Sequence, residues 1–294
     1  MNKIGIFMNF WEKNWNADHM KRIEKVSEIG FDILEFQAQP LLEMSREHMR
    51  DIKRCANDYG IELTYSLGLD PQYDISSLDE GVRRGGIEYL KRIVERIGFM
   101  EGTLLSGVGY AGWGVPKDFS GDKRPYWKNS VQSMQSIMKT AEDYGVTYCA
   151  EAVNRFETYL INTAAEALSY VDEVGSRNLG VLLDTYHMNI EEQNIGDAIR
   201  LVGDRLMNFH TGENNRTAPG RGHLDWDEIF RALSDIHYTG RIISEPFVMQ
   251  GGEVGRDIHV YRDLVENPSE KTIDAEAKYL LEFEKGMLKK YFVD

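Results

Sequence analysis

Short apolar runs alternate with longer amphipathic stretches along the whole chain. The apolar runs predict strands over residues 3–9, 33–36, 62–66, 102–106, 147–151, 180–184, 206–210 and 241–245. Between them, apolar positions recurring every three to four residues predict helices over 18–29, 45–59, 78–97, 126–144, 163–174, 195–202, 226–236 and 274–291. Three of these helices run into Gly30, Gly60 and Gly145. Each glycine suits the left-handed position just past a helix end, and each is followed at once by a strand.

Strict alternation of eight strands with eight helices predicts a parallel sheet closed on itself, a single-domain (β/α)8 TIM barrel spanning residues 1–294. The alternative, an open doubly wound sheet, would carry a glycine-rich turn after its first strand, where this chain has Phe10-Trp11-Glu12-Lys13. No linker, charge block or internal repeat divides the chain. The connections are lopsided. Helix-to-strand turns are a few residues long, whereas three strand-to-helix loops, 107–125, 211–225 and 246–272, are long. In a barrel those loops share the C-terminal face, where active sites are built, so the asymmetry predicts an enzyme with a partly covered pocket.

Composition narrows the partners. The 294 residues hold 48 acidic and 34 basic side chains, a net charge of −14. Such a surface repels phosphate backbones and anionic lipid, so neither nucleic acid nor a membrane is expected as partner. It also offers no field to draw in a strongly anionic substrate. Two cysteines, Cys55 and Cys149, are too few for a disulfide framework and read as free thiols in a reducing compartment. Cys149, inside an apolar strand, reads as a core residue. The opening apolar run is too short for a signal peptide and no stretch reaches membrane-spanning length, so a cytoplasmic protein is expected.

The chemistry sits at strand ends. Glu151, Asp184, His210 and Glu245 close the fifth to eighth strands at intervals of 33, 26 and 35 residues, each about one βα unit. In a closed barrel the four converge on one side of the mouth. Three carboxylates and one imidazole suit Mn²⁺, Mg²⁺ or Co²⁺, whereas zinc more commonly takes additional His or Cys. One acid at a strand end is commonly a solvated or helix-capping group; four strand ends in succession are not explained that way. Without a cation, the crowded carboxylates would oppose one another's ionisation. Glu157, His187 and Arg216 follow three of these residues and are candidates for hydrogen bonds to a polyhydroxy substrate. The plainer readings are a solvated Arg216 and a Glu157 paired with Arg155.

The segments EAVNRFETYLINTAAEAL, LLDTYHMNIEE, FHTGENNRTAPGRG and SEPFVMQGGEVGRDI closely resemble the D-tagatose 3-epimerase and D-psicose (D-allulose) 3-epimerase family, as do the opening GIFMNFWEKNW and the last helix. The resemblance implies a metal-dependent ketose 3-epimerase on a TIM barrel that uses Mn²⁺, with Co²⁺ or Mg²⁺ as alternatives. It implies Glu151, Asp184, His210 and Glu245 as metal ligands, with Glu151 and Glu245 also the catalytic pair. Glu157, His187 and Arg216 match residues that hold the substrate around O1 to O3. Trp15, Trp113 and Phe247 match aromatic positions that shape the sugar pocket. Relatives form dimers or tetramers, so a homodimer or homotetramer is implied.

This chain departs from the family at the far end of the sugar. Where relatives open GIYY it reads Gly5-Ile6-Phe7-Met8, so Phe7 lines the pocket without a phenol. Ser66 to Pro71 and Ser106 to Trp113 replace the family's glycine-proline run and its GGA-aromatic loop. These positions face C4 to C6, and tagatose, psicose, fructose and ribulose all stay open as substrates. Hydroxypyruvate isomerase-like and xylose isomerase-like enzymes, an inosose dehydratase-like lyase and a sugar-binding module are the competing readings. An endonuclease IV-like repair enzyme would need a histidine-rich zinc cluster and a cationic surface, against seven histidines and a charge of −14.

Overall fold

A computed structural model of the protein describes residues 2–292 apart from position 118. Eight strands, β1 (Ile4–Phe7), β2 (Ile33–Gln37), β3 (Glu62–Gly68), β4 (Leu104–Val108), β5 (Thr147–Ala152), β6 (Leu179–Asp184), β7 (Leu206–Thr211) and β8 (Arg241–Ser244), form a closed barrel in sequence order. Every neighbouring pair is parallel, and the β1–β8 pairing that closes the ring registers Gly5 with Ile243. Both faces of these strands are covered, which is why they read as nearly continuous apolar runs.

The surrounding helices are α1 (His19–Ile29), α2 (Arg46–Tyr59), α3 (Glu80–Phe99), α4 (Arg124–Tyr144), α5 (Ala164–Val174), α6 (Thr185–Glu191), α7 (Ile195–Val202), α8 (Trp226–Asp235), α9 (Gly252–Asp257) and α10 (Glu270–Tyr291). Gly30, Gly60 and Gly145 end α1, α2 and α4 with φ of 103°, 69° and 66°, the left-handed backbone their positions predict. Among the described residues no helix is long and apolar enough to cross a membrane.

Several boundaries move for local reasons. The first strand stops at Phe7, because Met8–Trp11 curl into a 3-10 turn closed by Glu12 N–H donating to Asn9 O at 3.1 Å. The fourth begins at Leu104, because Gly102 N–H donates back to Ile97 O at 2.9 Å and belongs to the end of α3. The last helix starts at Glu270, where the Ser269 side chain caps Thr272 N–H. Helices α6 and α9 fall in stretches whose apolar pattern is too short to declare them.

The N-terminal end of the barrel is closed by charge. Glu62 accepts from Lys3 at 2.7 Å and from Arg241 Nε at 2.6 Å, joining β1, β3 and β8. At the opposite end the loops are tied together. Asp74 accepts from Gly112 N–H at 2.9 Å, and Ser76 Oγ lies 3.1 Å from Tyr159 Oη, linking the loops after β3, β4 and β5. Trp15 Nε1 donates to Asp257 at 2.8 Å, linking the loop after β1 to α9. Glu213, wholly buried, gathers the loop after β7 by accepting from Trp226 Nε1 at 2.6 Å and Gly220 N–H at 2.9 Å.

One buried acid makes stability depend on pH. Glu284 of α10 has no exposure and accepts from Thr211 and Ser244 on the outer face of the barrel, the latter at 2.8 Å. Burial outweighs those two hydrogen bonds and pushes its carboxyl up to about 7. The folded state therefore holds this proton more tightly than the unfolded chain does. The associated stability is complete below the unfolded value of about 4.5 and is lost as pH rises through 7, about 3 kcal/mol in all. Glu284→Gln keeps the acceptor oxygen and cannot ionise. Urea unfolding at pH 5 and pH 8 is expected to show a smaller loss for the variant than for wild type; equal losses would contradict the assignment.

Candidate active site

Glu151, Asp184 and His210 leave β5, β6 and β7 toward the barrel mouth, and Glu245 follows the last residue of β8. One ligand atom from each lies within 4.8 Å of the other three. Oxygen ligands at about 2.0–2.6 Å from a cation place opposite donors about 4–5 Å apart, so the cluster has the size of a single coordination sphere. His210 supplies an independent test of fit. Its Nδ1 is buried with no hydrogen-bond partner, while Nε2 lies 3.0 Å from Glu35 Oε1. A buried imidazole nitrogen left without a partner beside three carboxylates is what a cation would use.

The electrostatics agree. Burial, followed by the neighbouring Glu245 carboxylate, pushes Glu151 well above the usual carboxylate range. Burial pushes Asp184 up as well, yet the Arg216 guanidinium, His187, His210 and the Tyr186 N–H together outweigh burial and hold it below that range. Burial lowers His210, but the charges of Glu35 and Glu245 overcome it and raise the imidazole well above its usual value. Asp184 also caps α6, accepting from Tyr186 N–H at 2.7 Å through Oδ1, which leaves Oδ2 for Arg216.

Arg216 ties the group together. Its Nη1 donates to Asp184 Oδ2 at 2.8 Å and to Glu245 Oε2 at 3.2 Å, and its Nη2 lies 3.1 Å from His187 Nε2. The guanidinium lies over Tyr186 at 4.2 Å and near Phe247 at 5.5 Å. Its backbone is left-handed, φ 64°, a strained conformation for a residue with a side chain and one that recurs where function fixes a side chain's direction. It is therefore no solvated loop charge.

His187, from α6, is wholly surrounded, and burial lowers it below the usual imidazole value, leaving it neutral. Its Nδ1 lies 2.8 Å from Asn154 Nδ2 and receives Asn154 N–H at 3.2 Å, while its Nε2 faces Arg216 Nη2 at 3.1 Å and lies 3.7 Å from Glu151. Glu157 is held by the same Asn154 amide at 2.9 Å; Arg155 pairs with Glu191 at 2.7 Å rather than with Glu157.

The aromatic residues form two walls. Phe7, Phe247, Val254 and Val260 pack together with Trp15 and Ile258 against them, and Phe7 meets Phe247 edge-on at 5.8 Å. Trp113 lies apart from this group, 37% exposed, over Gly68 at the end of β3. A Cβ at position 68 would stand 2.8 Å from its ring, so the tryptophan needs glycine there.

Glu35, Asn154, Tyr186 and Asn208 belong to the site and were not singled out from the sequence. Glu35 had a visible signal, an acid in the middle of the strand ILEFQ, where a doubly covered strand should be apolar.

Fold and geometry define a (β/α)8-barrel enzyme with a candidate mononuclear metal centre at its C-terminal mouth. A family model described as "Xylose isomerase-like TIM barrel" matches residues 23–283. The chain is 43% identical to the D-psicose 3-epimerase of Ruminiclostridium cellulolyticum over 97% of this chain and 98% of that protein. It is 40% identical to the D-psicose 3-epimerase of Agrobacterium fabrum over 97% of this chain and 99% of that one. A crystal structure of D-psicose 3-epimerase with D-tagatose, from Clostridium cellulolyticum H10, superposes with a TM-score of 0.95, covering 97% of this chain and 99% of that chain at 43% identity. The protein belongs to the D-psicose 3-epimerase family and is a ketose 3-epimerase.

Proposed function

We propose that the protein interconverts the C3 epimers of free ketohexoses, of the D-psicose/D-fructose and D-tagatose/D-sorbose type, with Glu151 and Glu245 as a pair of opposed acid–base groups. The observation that carries this reading is the convergence of those two carboxylates with Asp184 and His210 within 4.8 Å. Glu151, Asp184, His210 and Glu245 would hold a divalent cation, Mn²⁺ by preference and Co²⁺ or Mg²⁺ as alternatives. Bound there, it supplies Lewis acidity that favours charge on the neighbouring sugar oxygens.

The C3 proton of a ketose is acidic because C2 is a carbonyl. In one direction Glu245 takes that proton, and the C3–H electron pair moves into a cis-enediolate whose charge rests on O2. Glu151 then delivers a proton to the other face of the flat C3, and the centre is inverted; the reverse direction exchanges the roles. Arg216, His187 and Glu157 bind the oxygens at C1 to C3. Phe7, Trp15, Phe247 and Trp113 shape the rest of the pocket and keep water from the enediolate.

Free sugars suit the site better than phosphorylated ones, because the Arg216 guanidinium is already engaged by Asp184 and Glu245. We further propose a cytoplasmic homodimer or homotetramer, supported by apolar side chains at the rim such as Phe156, 78% exposed, and measurable by light scattering. Turnover in D₂O tests the reaction. A product epimer carrying one solvent deuterium at C3 is expected; label at C1 or C2, or a dehydrated product, would contradict it.

A further inference from the structure

Beneath the four candidate ligands the barrel interior is polar, where branched apolar side chains ordinarily fill such a layer. Glu35 on β2, Thr64 on β3, Ser106 on β4 and Asn208 on β7 have no solvent exposure. Glu35 Oε2 accepts from Thr64 Oγ1 at 3.0 Å, and Oε1, buried and without a hydrogen bond of good angle, reaches across the barrel to within 3.0 Å of His210 Nε2, so that a small turn of either group makes the bond. A carboxylate in that position is costly unless a proton donor faces it, and an apolar side chain would fill the space without the cost. Among the described residues, the groups recorded against the Glu35 carboxylate are the Thr64 hydroxyl and the His210 ring.

We infer that Glu35 is a positioning residue for the metal centre: by taking the Nε2 proton of His210 it fixes the ring so that Nδ1 offers its lone pair to the cation. A neutral imidazole carries one N–H, and a proton on Nδ1 would end its use as a ligand. An ionised carboxylate accepts only, so it selects the useful tautomer and makes the ring a stronger donor. The competitor at Nε2 is Asn208 Nδ2, 3.2 Å away, which donates one N–H to Ser106 Oγ at 2.9 Å and has a second that a protonated Nε2 would turn away; as a neutral amide it competes more weakly than the carboxylate. The inference rests on the metal role proposed for the four residues, not on the reaction proposed at C3.

The test is calorimetric titration of metal-free protein with MnCl₂, with circular dichroism confirming that each variant is folded. Wild type is expected to bind one Mn²⁺, and Glu35→Gln to bind about 10- to 100-fold more weakly. Excess Mn²⁺ should restore much of the kcat lost by the variant, a rescue that a merely structural role would not give. Thr64→Val removes the hydrogen bond that steadies Glu35 and is expected to weaken Mn²⁺ by less; it serves if the Glu35 variant does not fold. A folded Glu35→Gln that binds Mn²⁺ as tightly as wild type overturns the inference, and an unchanged Kd in Thr64→Val does so if only that variant folds. Wild type that binds no Mn²⁺ overturns it together with the metal reading. Glu35-dependent binding without turnover of any ketose upholds it and defeats only the reaction.

Discussion

Glu245→Gln at saturating Mn²⁺ is expected to lower kcat for 3-epimerisation by 10³-fold or more, with a much smaller change in KM. Loss of a general base accounts for about 10²–10⁴ of rate, and the amide is in addition a weaker metal ligand than the carboxylate. Glu151→Gln should cost as much, because inversion needs a proton removed from one face of C3 and another returned to the opposite face. The pair of variants carries a sharper signature than lost activity. A base left on one face still exchanges C3–H of the epimer it faces, so each variant should wash deuterium into a different epimer without interconverting the two. Wild-type turnover by either, or identical exchange by both, would remove the opposed pair.

Chelation has the second large effect. Dialysis against EDTA is expected to abolish turnover, and Mn²⁺ to restore it. The metal-free protein should also melt lower. A ligand at 100 times its Kd stabilises the fold by about 2.7 kcal/mol, about 5 °C for a domain of this size. The physical cause is the crowding of Glu151, Asp184 and Glu245, which Arg216 and His210 offset only in part. Activity that survives exhaustive chelation with an unshifted melting temperature would show that these residues need no cation.

The barrel was legible in the sequence because its signals are local and repeat. Doubly covered strands read as apolar runs, and Gly30, Gly60 and Gly145 mark where helices turn into strands. The four strand-end residues were legible for the same reason, since a closed barrel turns a periodic spacing in sequence into proximity in space. What stayed hidden depends on partners distant in sequence. Glu284 became visible only when α10 met Thr211 and Ser244, and Glu35, though an odd acid within an apolar strand, showed its partner only when β2 faced β7 across the barrel. Asn154, which holds both His187 and Glu157, sits in a loop whose polarity gives no hint of its direction. Helix α6 escaped because it starts on the residue directly after the last of β6, which is itself the cap, leaving no turn to announce it.

An anomalous difference map from crystals of the Mn²⁺-loaded protein, collected at the manganese edge, tests the arrangement most directly. The expected result is one peak inside the barrel mouth, within bonding distance of Glu151, Asp184, His210 Nδ1 and Glu245, with Glu35 against Nε2. A map with no peak there, or with those four side chains turned away from a common centre, would contradict it.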